Sequence, residues 1–80
     1  MKHQLGLHTK EEQAEALRMV KESHQRGVDA AAGGLALGVA FEAGFIHAIW
    51  RLAKLEGAKD LERAAFEKRG DLDRRVSELA

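Results

Sequence analysis

"GGLALGVAFEAGF", residues 33–45, sets three glycines ahead of a lone carboxylate, Glu42, in an otherwise uncharged and mostly apolar stretch. Apolar residues recur around it with helical spacing, and proline is absent from the whole chain. The stretch therefore reads as the middle of a long helix, running from an Asp29 cap to about Glu56, with Gly57 as its terminator. At about 100° per residue, Leu35, Val39, Ile46, Ile49 and Ala53 fall on one face, flanked by Phe41, Phe45, Trp50 and Leu52. Asp29, Ala36, Ala40, Ala43, His47, Arg51 and Lys54 fall on the opposite, small or polar face. The apolar arc is wider than one neighbouring helix covers. A second copy of the chain is the natural completion, with C2 symmetry as the default.

The glycines need an offset, because each interior helical glycine costs about 0.5–1 kcal/mol relative to alanine. Gly34, Gly38 and Glu42 are spaced by four and share one ridge, so close backbone approach by another helix or a flat ligand would supply it. If Gly27–Asp29 forms a tight turn, the first two helices pack antiparallel and His24 falls beside Gly33 and Gly34. Alternatively, "VDAAAGG" (28–34) is loop and the helix starts at Leu35; the sequence does not choose between these. Glu42 lies amid the most apolar arc. An unpaired buried carboxylate costs several kcal/mol or takes up a proton, so a partner is expected. In that hairpin the nearest polar group is Gln13, with Lys10 and Lys21 as longer reaches; in an oligomer the partner comes from the other chain.

Working outward, "TKEE" (9–12) offers a capping box that starts a first helix over about 9–26, with Gly27 as its left-handed stop. Leu17, Val20 and His24 form its narrow apolar stripe. Arg18–Glu22 and Glu22–Arg26 are helix-spaced ion pairs worth only about 0.2–0.5 kcal/mol each. A third, charged helical region over 58–80 carries Leu61, Ala65, Leu72, Val76 and Leu79 along one side. Gly70 either breaks it or is tolerated at a cost of about 1 kcal/mol. The expected fold is all-α: one domain over 1–80, a small helical bundle or helical hairpin with a long central apolar helix, completed by homo-oligomerisation.

Composition narrows the chemistry. Eighty residues without cysteine give a marginal core and no disulfide or Cys-based metal site. Net charge is zero, and residues 1–27, 28–57 and 58–80 sum to +1, −1 and 0. That argues against a nucleic-acid footprint. The four histidines show no metal-ligand spacing, Thr9 is explained as a cap, and Ser23 and Ser77 sit in no nucleophile elbow. "GGLALG" lacks the Lys-Ser/Thr of a phosphate loop. No enzymatic activity, metal or cofactor is expected. The start of the chain shows no leader's apolar core, and the hydrophobic and acidic pattern of a double-glycine leader is missing upstream of Gly34. A cytoplasmic location is the expectation.

The favoured function is that of a non-catalytic binding protein, a small regulator or inhibitor of the kind microbes and their mobile elements encode. It would meet a protein partner through Trp50, Arg51 and the charged third region. Self-association would use Phe41, Phe45, Ile46, Ile49 and Leu52. A second reading is a ligand-sequestering oligomer in which Glu42 meets a polar head in a groove lined by Gly34, Gly38 and His24, with His47 and Arg51 as an anion pair. A third is a membrane-inserted helix over Ala30–Trp50, against which Glu42 near mid-bilayer costs about 2.5–3.5 kcal/mol.

Overall fold

The computed structural model describes residues 7–80; the expectations about the first residues, including His3, lie outside them. Three helices form an all-α bundle: α1 (Lys10–Ala32), α2 (Ala36–Glu56) and α3 (Lys59–Leu79). They lie side by side in an elongated body of 42 × 16 × 15 Å, each helix packed against both others.

α1 starts as its capping box dictates. The Thr9 hydroxyl accepts from the Glu12 amide at 3.0 Å, and Glu12 Oε1 accepts from the Thr9 and His8 amides, each at 3.0 Å. Its end corrects the sequence reading. Gly27 is not a stop and Asp29 is not a cap; the helix runs through both to Ala32. Gly27 is buried against α3, where an added Cβ would stand 2.7 Å from both methyls of Leu72. The glycine therefore serves close helix approach, while Asp29 accepts a hydrogen bond from Gln25 Nε2 at 3.0 Å. The turn comes at Gly33–Gly34–Leu35, with Gly34 at φ 73°, a left-handed conformation that favours glycine. The loop reading of 28–34 had the start of α2 within one residue, yet Val28–Ala32 are helical.

This displacement resets the register of the hairpin. Each α1 residue now meets a position on α2 further along than a turn at Gly27–Asp29 implied. His24 does not fall beside Gly33 and Gly34, and Gln13 does not meet Glu42; Gln13 bonds the Leu7 carbonyl at 2.9 Å instead. Gly38 faces Ala30, whose methyl would lie 3.1 Å from an added Cβ. The glycines of 33–38 thus divide between a turn and a helix contact, and do not line a common groove.

Gly57 ends α2 as expected, left-handed at φ 73° with its amide donating to the Ala53 and Lys54 carbonyls. α3 passes through Gly70 unbroken, and nothing lies within 4 Å of a Cβ added there. Gly70→Ala is accordingly expected to raise stability by about 1 kcal/mol through helix propensity alone, measured by urea denaturation.

Val20, Val39, Ile46, Ala53, Ala65 and Leu72 are wholly buried at the centre. Ile46, expected at an oligomer interface, is consumed by the chain's own core, and Ala43, expected on the polar face, is buried too. The outward face of α2 stays bare: Leu37 is 87 %, Phe41 72 % and Leu55 81 % exposed.

Candidate functional site

Two polar clusters cross the bundle, and the first gathers around Glu42. Ser23 Oγ donates to Glu42 Oε1 at 2.6 Å and sits 3.3 Å from the Glu42 carbonyl. Arg26 donates from Nε to Oε2 at 3.1 Å and from Nη2 to Oε1 at 3.3 Å. Burial pushes the Glu42 carboxyl up, but the Ser23 hydroxyl and the Arg26 guanidinium outweigh it and hold the group below its ordinary range. The expected partner exists, as Ser23 and Arg26 rather than Gln13 or a lysine. Arg26 spends its charge here, so the Glu22–Arg26 pair read from helix spacing gives way; Arg18–Glu22 forms at 2.8 Å. A carboxylate 9 % exposed and already bonded from two sides offers a ligand little.

The second cluster ties α1 to α3. His24 Nε2 lies 2.7 Å from Asp71 Oδ2, and Arg74 and Arg75 donate to the same carboxylate. Arg75 first, then His24 and Arg74, hold Asp71 far below the usual carboxylate range despite partial burial. These bonds explain His24 structurally.

A different arrangement stands at the edge where α2 meets α3. Trp50 stacks obliquely between His47, with ring centroids 5.4 Å apart, and Phe66, 6.5 Å away. Cations surround it: Lys54 Nζ is 5.2 Å from the Trp50 ring, and the Arg69 guanidinium is 5.4 Å from Trp50 and 5.6 Å from Phe66. Such contacts are worth about 0.5–1 kcal/mol each at exposed sites. Arg69 Nη1 also meets His47 Nδ1 at 2.7 Å; an arginine N–H can only donate, so Nδ1 accepts. The buried Arg69 Nε stands 3.7 Å from Asp73 Oδ2, beyond hydrogen-bond distance. Beside the rings opens a shallow groove of about 370 Å³, lined by Trp50, Lys59, Glu62, Arg63 and Phe66.

Helix spacing builds this edge. His47, Trp50 and Lys54 follow one another at i, i+3 and i+7 on α2, and Phe66, Arg69 and Asp73 do the same on α3. The two-residue Gly57–Ala58 connection sets the strips antiparallel. Trp50 and His47 were named from sequence; Phe66 and Arg69 were not, although their spacing on an amphipathic helix was readable. Arg51 is exposed and His47 half-buried, and His47 Nδ1 is taken by Arg69. Phe45, Ile49 and Leu52 are half-buried and Phe41 is exposed. Among the described residues no group of three or more acidic or histidine side chains could hold a metal ion.

No family model matches the chain, and no curated protein or solved structure matches it either.

Proposed function

We propose that the chain is a non-catalytic binding module, a small regulator or inhibitor that grips an acidic segment of a partner protein at the Trp50–Phe66 edge. The observation carrying this reading is Phe66, left 54 % exposed beside Trp50 within a ring of Lys54, Lys59, Arg63 and Arg69. Binding hot spots are enriched in Trp and Arg held in packed settings, and here both are supported from beneath by His47. Four cations against Glu62 and the more distant Asp73 give the edge a positive potential. An acidic partner with an apolar anchor complements it.

Panning a random peptide library against the immobilised protein tests this. Enriched peptides are expected to flank a large apolar residue with Asp or Glu, and to lose affinity as salt rises. Trp50→Ala should weaken them by about thirtyfold, the loss typical of a hot-spot truncation. Phe66→Ala, at a more exposed position, serves as the variant less prone to disturb the fold. Selected peptides that bind both variants as tightly as the parent would remove this edge from the function.

A further inference from the structure

We infer that the groove between α2 and α3, beyond the Trp50–Phe66 edge, binds a small zwitterion, an α-amino acid with an apolar side chain. The groove holds about 560 Å³, and α2 lines it with Ala40, Ala43 and Gly44, whose side chains are too short to fill it. Val76 of α3 adds to this apolar part, and His47, Arg69 and Asp73 line the polar part. Small-molecule sites commonly combine an apolar surface with a few convergent polar groups.

Arg69 is the decisive residue. Its Nη1 donates to His47 Nδ1 at 2.7 Å and its guanidinium lies near the Trp50 and Phe66 rings, so it is held in place. The remaining side-on fork, Nε with Nη2, makes no hydrogen bond among the described residues. Nε is buried, and among those residues it is the single buried side-chain nitrogen or oxygen without a partner. Such an orphan calls for a group that the chain does not supply. A side-on arginine fork matches the two oxygens of a carboxylate. The internal candidate, Asp73 Oδ2, stops at 3.7 Å.

A plain anion in the fork would face the Asp73 carboxylate. A ligand with both charges satisfies both ends: its carboxylate takes the fork and its ammonium meets Asp73. An α-amino acid bears the two groups on one carbon, close enough to serve residues whose own charged atoms lie 3.7 Å apart. The Arg69 side chain is 25 % exposed and that of Asp73 58 %, so the pair is open to an incoming molecule. Nε is uncovered as Asp73 turns toward the ammonium. The apolar side chain then lies over Ala40, Gly44 and Val76. In a groove this open, dissociation in the roughly millimolar range is expected. Arg69 is shared with the proposed partner-binding edge, whereas Gly44 lines this groove alone, which keeps the two readings separable.

L-Leucine is the probe, titrated into the full chain and followed by heteronuclear NMR at the Gly44 amide and the Arg69 Nε–H. Both signals are expected to shift and saturate together. Isocaproate, which lacks the ammonium, and isoamylamine, which lacks the carboxylate, should each bind at least tenfold more weakly. Asp73→Asn should weaken leucine about fourfold, as loss of an exposed ion pair does, and strengthen isocaproate. Gly44→Leu fills the floor and should abolish binding at unchanged helicity, since nothing lies within 4 Å of a Cβ there. Signals unmoved by about 20 mM leucine would overturn the site. Isocaproate binding as tightly as leucine would overturn the zwitterion, and leucine binding that survives Gly44→Leu would overturn the groove.

Discussion

Leu72→Ala is expected to destabilise the bundle by about 2–5 kcal/mol, and Gly27→Ala to change sign on that background. Leu72 is wholly buried, and its two methyls stand against the backbone of Gly27. Removing the isobutyl group deletes its transfer free energy and leaves a hole that two rigid helices cannot close. In the parent, an alanine at position 27 would bring a methyl within 2.7 Å of both Leu72 methyls. Overpacking of that kind costs about 1–3 kcal/mol. It exceeds the roughly 1 kcal/mol that alanine returns through helix propensity. Once Leu72 is truncated the collision disappears, the propensity gain remains and the added methyl fills part of the cavity. A double-mutant cycle by urea denaturation should therefore show Gly27→Ala destabilising the parent and stabilising Leu72→Ala. Independent, additive effects would mean that the two residues are not in contact.

Gly27 also marks where the sequence stopped being legible. The start of α1, the end of α2 at Gly57 and the buried side of α3 were all readable, because each is decided within a few residues of chain: a capping box, a left-handed glycine, a repeating Leu and Ala face. The turn between α1 and α2 had two candidate sites, Gly27 and Gly33–Gly34. Local chemistry left both open, since Asp29 imitates a cap. The choice depends on packing against Leu72, which comes more than forty positions later on α3. α2 itself begins at Leu35 with no side-chain cap, so its true start left no local signature. The need for a Glu42 partner followed from burial alone, whereas the partner's identity depended on the register that this turn sets. Trp50 stood out by type. Phe66 and Arg69 acquire meaning only once α3 is laid beside α2. The wide apolar arc of α2 was divided in the same way: Val39, Ile46 and Ala53 face inward, and Leu37, Phe41 and Leu55 face out.

Removing the Arg26 side chain should invert the pH dependence that Glu42 contributes to stability. In the parent, Ser23 and Arg26 together outweigh burial and keep the folded carboxyl below its unfolded value of about 4.3. A group depressed in this way binds protons more weakly in the folded state. Its contribution is present above the unfolded value and is lost as pH falls through the folded one. Burial, however, is the largest single influence on this carboxyl, greater than the Ser23 hydroxyl alone. In Arg26→Ala the balance reverses, the folded carboxyl rises above the unfolded value, and stability from this group grows as pH drops through that range. Each protein is compared with its own Glu42→Gln counterpart, so that Asp71 and the other carboxylates cancel. The parent-minus-Gln difference should fall on acidification from about pH 5 toward pH 3, and the corresponding difference on the Arg26→Ala background should rise as pH drops toward about 4. At pH 7 Glu42→Ala is expected to cost about 1.5–3 kcal/mol, the worth of a hydrogen bond to a charged group, because Ser23 is fully buried and keeps only the 3.3 Å contact to the position 42 carbonyl. The ion pair itself adds less, since Arg26 is 57 % exposed and solvent screens it. Slopes of the same sign on both backgrounds would mean that Arg26 does not govern the charge at Glu42.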